Sequence, residues 1–510
     1  MRRIKNVLEY LEESAKKFPH KIAFADEEKY VTYAQLQENA KRMASGILTM
    51  TSPRKPVAVL GEKSVETVTA FLACVYAGCF YVPLNPLHPT SRREAIWEKM
   101  GFPLLLVQEK CRSLLPSGAN ESQIATIGNL TDGREKTDEI LLQTVRSRHT
   151  DTDPLYVMFT SGSTGTPKGI AVSHRSVIDF IEEFTELFGI GSEEVIGNQA
   201  PFDFDVSVKD IYSTLKAGAT MQIIPKKLFS FPSMLIDYLI ERKVTVLIWA
   251  VSALCILSTL NAFDYKVPER IGKVLFSGEA IPVKQLNIWK KHLPEAMFVN
   301  LYGPTEITCN CTYYILEKGL YEKEVLPIGN AFPNERVFLL SESGKQVTLP
   351  HETGEICVSG TALSLGYYND ADATGKSFVQ NPLNKNYLEP VYRTGDLAYY
   401  DEEGRLCFVG RKDFQIKHQG HRIELSEIES VMQSLTGLNR AVCMYNRLTD
   451  KIYGFYQGDA SPADIRVLLR GKLPPYMVPH KCIQVENFIL NENGKIDRKK
   501  LQEKYFDAGI

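Results

Sequence analysis

Several features that define particular protein classes are scarce or missing in this chain of 510 residues. Its ten cysteines are dispersed apart from the close pair Cys309 and Cys311, and no Cys-x-x-Cys motif indicates a zinc or redox site. The N-terminal stretch mixes charged and apolar residues and lacks the apolar core of a signal peptide. The longest apolar stretches, at 71–84 and 246–257, are too short to span a bilayer. We therefore expect a reduced, cytoplasmic protein with no membrane span.

An excess of charge of either sign is also missing. The chain has 59 Lys+Arg and 61 Asp+Glu, giving a net charge of -2, which argues against a partner that is nucleic acid or an anionic membrane. A local basic patch remains compatible with this balance. The hydrophobic fraction of 44% is ordinary for a globular protein with a large core. Length alone allows either several domains or one large domain with a smaller companion.

The hydrophobic pattern indicates an α/β protein, because apolar runs of strand length alternate with amphipathic stretches. Residues 153–160 have the character of a buried strand, and a helix is predicted after Ser173, ending at Gly189. The last hundred residues resemble a separate small α+β unit. There we predict a helix from Ser426 with a capping box to Glu429, a hairpin over 441–456, and a helix after Pro462. The boundary is placed near 410–413.

The most distinctive local signal is a run of glycine and hydroxyl residues at 160–169. Glycines let backbone N–H groups turn toward an anion, hydroxyl groups add hydrogen-bond donors, and a lysine adds positive charge. This inventory suits a polyphosphate, although such runs also form flexible surface loops. The candidate phosphate-binding residues are Thr160, Ser161, Gly162, Ser163, Thr164, Gly165 and Lys168.

This run differs from two common nucleotide-binding motifs. A Walker loop needs a glycine directly before the lysine and a helix after it, whereas Gly165 lies three positions before Lys168. Residues 170–172 have strand character, so we predict that the loop joins two strands. No Gly-x-Gly-x-x-Gly motif occurs, which argues against a dinucleotide site.

Four further motifs follow along the chain, at 300–306 (NLYGPTE), 392–396 (YRTGD), 410–417 (GRKDFQIK) and 493–498 (NGKIDR). In this order and spacing, the motifs resemble those of the adenylate-forming superfamily. The resemblance is specifically to the amino-acid adenylation domains of nonribosomal peptide synthetases and to the D-alanine–carrier-protein ligases. It extends from about residue 31 to Lys495 and includes the segment 77–84.

The resemblance implies an AMP-forming ligase that works in two steps. A carboxylate attacks the α-phosphate of ATP, giving an acyl-adenylate and pyrophosphate, and a phosphopantetheine thiol on a carrier protein then displaces AMP. It also implies a core over residues 1–410, made of several subdomains with β-sheets flanked by helices, and a mobile α+β lid over 411–510. ATP, Mg²⁺ and the carrier's phosphopantetheine are the implied cofactors, and the chain is expected to be a monomer that binds no nucleic acid.

Most motif residues are implied to bind ATP. Lys495 is expected to bridge the substrate carboxylate and the α-phosphate, with Arg411 contacting ribose or phosphate as a second catalytic residue. Asp396 is expected to hold the ribose hydroxyls, Tyr302 to stack on adenine, and Glu306 to bind Mg²⁺. The other residues expected at this site are Gly278, Glu279, Ala280, Asn300, Leu301, Gly303, Pro304, Thr305 and Phe408. The alternative for Lys495 is a solvated surface lysine. The alternative for Glu306 and Asp396 is a carboxylate whose hydrogen bonds are made within its own turn.

The segment 410–417 is implied to contain a hinge. In the family the C-terminal domain rotates between the two half-reactions, and Asp413 matches the hinge position. Lys417 and Gly420 match the tunnel through which pantetheine passes, where a glycine leaves room.

A third set of residues is implied to bind the acid. Asp205 matches the aspartate that pairs with a substrate α-ammonium group, and Asp203 is the alternative two positions earlier. The expected lining residues are Val206, Lys209, Ile248, Leu275, Ser277, Leu301, Cys309 and Asn310, together with Lys495. A Lys209 that points into the pocket favours an acidic or acceptor-bearing side chain. A Lys209 that points outward leaves a small pocket, and D-alanine is then a candidate.

Two motifs of larger synthetases are missing. No Gly-Gly-x-Ser carrier motif follows Lys495, and no His-His-x-x-x-Asp-Gly condensation motif occurs. We therefore expect the carrier protein to act in trans, unless the chain was cut from a longer synthetase. The competing functions are a coenzyme A ligase for an organic acid, which Asp205 argues against, and a non-catalytic nucleotide-binding or scaffold protein. The presence of Lys495, Glu306 and Asp396 argues against the second.

Overall fold

The computed structural model describes residues 4–132, 137–161, 167–323, 325–489 and 496–506. The chain divides into two units. The first consists of Met1–Pro86, Trp97–Met158 and Gly169–Lys412, and the second of Leu87–Ile96, Phe159–Lys168 and Asp413–Ile510. Two short segments from the first third of the sequence thus belong with the C-terminal unit. The functional division into a core and a lid remains a prediction.

The α-helices are α1 (Leu8–Lys17), α2 (Tyr33–Met50), α3 (Val65–Tyr76), α4 (Thr90–Lys99), α5 (Ile127–Asp132), α6 (Glu139–Ser147), α7 (His174–Leu187), α8 (Val206–Ala217), α9 (Pro232–Glu241), α10 (Val251–Thr259), α11 (Val283–His292), α12 (Ala371–Ser377), α13 (Leu425–Gln433), α14 (Pro462–Arg470) and α15 (Arg498–Tyr505). Local sequence explains several of their starts. Thr32 and Gln35 form a capping box that begins α2, and the Ser173 side chain accepts from Ser176 N at the start of α7. The predicted helix after Ser173 is confirmed.

The strands are β1 (Ile22–Ala25), β2 (Tyr30–Thr32), β3 (Pro56–Leu60), β4 (Phe80–Leu84), β5 (Leu104–Val107), β6 (Ile124–Thr126), β7 (Pro154–Thr160), β8 (Lys168–Ser173), β9 (Val195–Asn198), β10 (Thr220–Ile223), β11 (Val246–Ala250), β12 (Lys273–Ser277), β13 (Met297–Tyr302), β14 (Thr312–Ile315), β15 (Asn330–Ala331), β16 (Glu335–Leu340), β17 (Gln346–Val347), β18 (Gly354–Gly360), β19 (Gly366–Tyr367), β20 (Phe378–Gln380), β21 (Pro390–Tyr400), β22 (Leu406–Arg411), β23 (Gln415–His418), β24 (His421–Glu424), β25 (Leu438–Asn446), β26 (Lys451–Gly458) and β27 (Lys481–Gln484). The glycine-rich run lies between β7 and β8, so the predicted strand-to-strand connection is confirmed.

Three sheets build the first unit. One has nine strands in the order β15-β14-β13-β12-β11-β9-β10-β1-β2, and its six central strands from β13 to β1 run parallel. The second has the order β19-β8-β7-β4-β3-β5-β6, and the third, β17-β16-β18-β21-β20 with β22 beside β21, is antiparallel. Parallel strands bury both faces, which explains why β3 and β4 are continuously apolar and buried.

The nine-stranded sheet separates two hydrophobic cores. On one face, Ile248, Leu275 and Leu301 pack with residues of α1, α2, α3, α7 and α8. On the other face, Trp249 and Phe276 pack with residues of α9, α10 and α11. Alternation along β11, β12 and β13 sends successive side chains to opposite cores, as a period of two requires. This alternation decides which predicted site residues can meet.

The C-terminal part of the second unit is the predicted α+β arrangement. β25 and β26 form the predicted hairpin, β27 adds to β26 in parallel, and α13 and α14 pack on this sheet through Ile428 and Ile465. The predicted capping box is wrong, because α13 begins at Leu425 without a side-chain cap. Glu429 instead accepts from Cys443 N at 2.7 Å and from Arg498 at 2.6 Å. A buried backbone donor and a guanidinium satisfy this carboxylate better than an exposed cap.

None of the helices in the described part of the chain combines the length and the hydropathy that crossing a membrane requires. All ten cysteines are free thiols.

Candidate active site

Asp396, Tyr302 and Arg411 form one hydrogen-bonded cluster in the first unit. Asp396 on β21 lies opposite Arg411 on β22 and is 2% exposed. The Tyr302 hydroxyl donates to Asp396 Oδ2 at 2.5 Å, and Arg411 donates to Asp396 Oδ1 at 2.7 Å and to Thr394 O at 3.1 Å. Burial and the neighbouring Asp396 charge hold the pKa of Tyr302 well above its usual range, so the hydroxyl remains a donor. Three residues predicted to contact ATP are thus brought together.

Phe408, also predicted at this site, lies beside the cluster. Its ring centroid is 6.2 Å from that of Tyr302, with the planes tilted by 39°. Phe408 is 36% exposed, whereas Tyr302 is 6% exposed. An accessible aromatic face next to a buried carboxylate and guanidinium suits a planar base attached to a hydroxylated sugar.

Glu306 is a buried residue in the tight turn that begins at Gly303. A β-carbon on residue 303 would lie 2.5 Å from Asn310 Cα, so only glycine allows this approach. Glu306 is 1% exposed, and the Tyr367 hydroxyl donates to its Oε1 at 2.8 Å. A single hard carboxylate completed by phosphate oxygens and waters suits Mg²⁺. The described residues contain no cluster of three or more His, Cys, Asp or Glu side chains that could hold a metal without such a ligand.

Four of the residues predicted to line the acid pocket share one face of the nine-stranded sheet. Ile248 pairs with Leu275, and Leu275 pairs with Val299. Ser277 and Leu301 lie two residues further along their strands, at the carboxyl ends where open parallel sheets bind ligands. Asn300 lies on the opposite face, where its Nδ2 donates to Pro327 O at 2.8 Å.

The loop after Glu306 joins this face to the start of α8. Cys309 Sγ donates to Asp205 O at 3.0 Å, and Lys209 Nζ donates to Asn310 Oδ1 at 2.7 Å. Burial, followed by the Asp205 charge, raises the pKa of the Cys309 thiol well above its usual range, so it stays protonated and can donate. Lys209 is 0% exposed. The structure therefore excludes the alternative in which Lys209 points outward from its helix.

The same loop has an unusual backbone. Thr308 and Cys309 have φ angles of 52° and 74°, and two successive left-handed non-glycine residues are rare, especially with a β-branched side chain. Each such conformation costs on the order of 1–3 kcal/mol. Hydrogen bonds from Thr308 Oγ1 to Ala362 O at 2.7 Å and from Cys311 N to Tyr302 O at 2.8 Å hold the loop. This geometry aims Cys309 and Asn310 toward α8.

Comparison with known proteins decides the family. A family model described as AMP-binding enzyme matches residues 11–368. The chain belongs to the AMP-binding enzyme family. It is 32% identical to a D-alanine–D-alanyl carrier protein ligase of Bacillus licheniformis, over 98% of this chain and 99% of that protein. It is 31% identical to zwittermicin A synthase ZmaJ of Bacillus cereus, over 96% of this chain and 93% of that protein.

Longer relatives and solved structures agree with this membership. Tyrocidine synthase 1 of Brevibacillus parabrevis is 31% identical over 98% of this chain, which spans 45% of that protein. A structure of a nonribosomal peptide synthetase protein with adenylation and PCP domains superposes with a TM-score of 0.82 at 27% identity, covering 98% of this chain and 84% of that one. The predicted family, α/β fold and AMP-forming ligase activity are confirmed, and amino-acid adenylation is supported. The roles of individual residues remain predictions.

The remaining predicted residues of this AMP-binding enzyme lie as follows. Gly278, with φ of 100°, follows β12 and precedes Glu279 and the exposed Ala280. Leu301, Pro304 and Thr305 belong to the end of β13 and the turn after it, and Val206 is the partly buried first residue of α8.

Other predicted residues belong to the second unit. Thr160 ends β7, Lys168 begins β8, and the buried Ser161 donates to Arg422 O at 2.7 Å and accepts from Glu424 N at 3.1 Å. Gly162, Ser163, Thr164, Gly165 and Lys495 lie outside the described residues.

The predicted hinge and tunnel residues lie at the start of the C-terminal segment of the second unit. Asp413 accepts from Gln415 N at 3.2 Å, and Lys417 on β23 pairs with Arg422 on β24. Gly420 and Gln419 form the two-residue turn between these strands, with φ angles of 78° and 52°. Such a turn requires positive φ at both positions, which gives Gly420 a conformational reason independent of the tunnel.

Three buried side chains of the first unit were not predicted from the sequence. Glu355 on β18 accepts from Arg393 Nε at 2.9 Å and from Gly395 N at 3.1 Å, and so supports the turn that carries Asp396. Tyr367 anchors Glu306, and among the described residues the buried Tyr156 hydroxyl has no hydrogen-bond partner. Glu355 could have been found from the sequence, because it is a charged residue inside the apolar strand 354–360. No sequence pattern points to Tyr367 or Tyr156.

Proposed function

We propose that this enzyme activates an amino acid with ATP and transfers the aminoacyl group to the phosphopantetheine thiol of a carrier protein. The observation that carries the proposal is the position of Asp205. Asp205 directly precedes α8, and its backbone carbonyl accepts from Cys309 Sγ in the loop that follows Tyr302 and Glu306. A carboxylate held there suits a substrate α-ammonium group, which the acids used by other ligases lack.

The proposed first step joins two anions. A carboxylate oxygen of the amino acid attacks the α-phosphorus of ATP, the bond to the β-phosphate oxygen breaks, and pyrophosphate leaves. Positive groups must offset the charge that accumulates between the reacting oxygens. We assign this role to Lys495 and Arg411. Glu306 would hold Mg²⁺, which offsets phosphate charge when bound.

The nucleoside is proposed to lie against the Asp396 cluster. Asp396 retains acceptor capacity for ribose hydroxyls while Tyr302 and Arg411 fix its position. Because these groups are already ordered and buried, little reorganisation is needed when the nucleotide binds.

The proposed second step transfers the aminoacyl group. The thiolate of phosphopantetheine attacks the carbonyl carbon of the aminoacyl-adenylate. The bond between that carbon and the phosphate oxygen breaks, and AMP leaves with the oxygen. Two similar proteins are named carrier protein ligases and match this chain over nearly their whole lengths, which supports a carrier supplied in trans. We further propose a monomer located in the cytoplasm. The substrate is a small or polar amino acid, with D-alanine among the candidates.

Substitution of Asp205 tests the proposal. In Asp205→Asn the α-ammonium group loses its charged partner, so amino-acid-dependent ATP–pyrophosphate exchange should fall by about 100-fold or more. The matched control is Asp203→Asn, which changes a carboxylate two positions earlier that accepts from Asn85 Nδ2 at 3.0 Å. The control should retain most of the exchange. Equal exchange rates in the parent and Asp205→Asn would contradict the proposal.

A further inference from the structure

Glu355 lies at a break in the hydrogen-bond ladder between β18 and β21. Glu355 pairs with Leu397 and Cys357 pairs with Arg393, so a step of two residues along β18 faces a step of four along β21. The two extra residues form a bulge in β21, just before Asp396 is reached. A bulge leaves backbone groups without a partner on the opposite strand, and these groups need other acceptors.

Gly395 lies in this bulge, with a φ of 74°, and both of its backbone groups are held. Its N–H donates to Glu355 Oε1 at 3.1 Å, and its carbonyl accepts from Lys412 N at 2.9 Å. Asp396 is the next residue along the chain. The position of the proposed ribose-binding carboxylate therefore depends on Glu355 and on Lys412.

The other oxygen of the Glu355 carboxylate binds two cations. Arg393 Nε donates to Glu355 Oε2 at 2.9 Å, and Lys412 Nζ donates to the same oxygen at 3.2 Å. The Glu355 side chain is 6% exposed, and a carboxylate so deeply buried needs cationic partners. One side chain thus joins the Gly395 backbone to the ammonium group of Lys412.

The place of Lys412 in the chain gives this contact a consequence for the hinge. Lys412 is the last residue of the first unit, and Asp413, the proposed hinge residue, follows it directly. A torsion change at Asp413 would displace Lys412 and pull on Gly395 if Lys412 were free to move. Because Lys412 is held at both its N–H and its Nζ, the change is confined to the residues that follow it.

We propose that Glu355 and Lys412 are positioning residues, whose ion pair keeps Asp396 in place while the torsion at Asp413 changes between the two half-reactions. The inference rests on the proposed function and on the proposed hinge. It adds a role for two side chains that touch neither the nucleotide nor the amino acid.

The test compares two rates of the full chain, measured with the L- or D-amino acid that gives the fastest exchange. One rate is ATP–pyrophosphate exchange, and the other is thioester formation with free D-pantetheine as the acceptor. In Lys412→Met, thioester formation should fall by about 10-fold, because the ion pair is lost. Exchange should change by less than about twofold, because Glu355 still accepts from Gly395 N.

Two further lysine variants separate the ion pair from a general effect of substitution. Lys412→Arg keeps a cation beside Glu355 and should retain the parent ratio of the two rates. Lys318→Met is the matched control, because Lys318 pairs with Glu295 at 2.6 Å where the side chains are 76% and 81% exposed. It should leave both rates unchanged.

Glu355→Gln completes a double-mutant cycle. The glutamine oxygen still accepts from Gly395 N but the side chain carries no charge, so thioester formation should again fall by about 10-fold. Adding Lys412→Met to this variant should cause no further loss, since both changes remove the same ion pair.

Three results would each overturn the inference and leave amino-acid activation intact. They are an unchanged ratio of the two rates in Lys412→Met, an equal loss in Lys412→Met and Lys412→Arg, and additive losses in the double variant. If Glu355→Gln shows no thermal unfolding transition, the two Lys412 variants decide the question alone. Absence of exchange with every amino acid in the parent would instead overturn the proposed function, and this inference with it.

Discussion

At the scale of single residues, buried partners hold the acidic groups of this AMP-binding enzyme in place. Tyr302 and Arg411 fix Asp396, and Tyr367 fixes Glu306. The motifs allowed Asp396 and Glu306 to be predicted from sequence. Tyr367 could not be predicted, because it lies 61 positions from Glu306 and no local pattern connects them.

The buried His174 gives a residue-scale prediction of pH dependence. Val7 N donates to His174 Nδ1 at 3.3 Å, and burial, followed by the charges of His149 and Arg146, holds the pKa of His174 well below its usual range. Unfolding lets His174 take up a proton near pH 6.5, so its contribution to stability is present above that pH and lost as pH falls below it. The expected loss is up to about 1.4 kcal/mol per pH unit.

Urea unfolding at pH 7.5, 6.5 and 5.5 measures this effect. His174→Asn, whose carbonyl oxygen can still accept from Val7 N, should show a shallower loss of stability below pH 6.5 than the parent. His351→Asn changes an exposed histidine and should follow the parent. Three parallel curves would contradict the assignment to His174.

At the scale of elements, the local sequence pattern predicted whether a segment is a helix or a strand better than it predicted which residues that segment contacts. The helix from His174 and the hairpin of β25 and β26 follow from periodicity and turn residues alone. Glu429 was expected to cap α13 but binds Arg498, because long-range burial decided its partner. The left-handed Thr308 and Cys309 contradict residue preference, and nothing in the sequence indicates them.

A buried ion pair within the second unit gives an element-scale prediction. Arg92 on α4 donates to Glu427 on α13 at 2.8 Å, and the two side chains are 5% and 4% exposed. Removing the guanidinium leaves a buried carboxylate without that partner, so Arg92→Met should lower the free energy of opening of α13 by about 3–5 kcal/mol. Hydrogen exchange of the α13 amides in the full chain measures this energy.

The matched control for this prediction is a surface pair. Arg112→Met removes a contact to Glu121, whose side chain is 80% exposed, and should change stability by less than about 1 kcal/mol. An Arg92→Met chain with unchanged α13 protection would show that the buried pair contributes nothing to the second unit.

At the scale of the whole molecule, the boundary between the two units falls at the proposed hinge. Lys412 is the last residue of the first unit and Asp413 the first of the C-terminal segment in the second. Proline fixes φ near -65°, so Asp413→Pro should impair adenylation and thioester formation to different degrees. Asp413→Ala removes the carboxylate that accepts from Gln415 N but leaves φ unrestricted, so it should affect both steps little. An equal loss in both steps for Asp413→Pro would contradict the hinge.

The central claim is that the enzyme activates an amino acid, and one measurement tests it most directly. ATP–[³²P]pyrophosphate exchange should be stimulated by at least one L- or D-amino acid and by no analogue in which hydrogen replaces the α-amino group, because Asp205 requires the ammonium charge. Stimulation by the deaminated acids, or by none of the amino acids, would contradict the account.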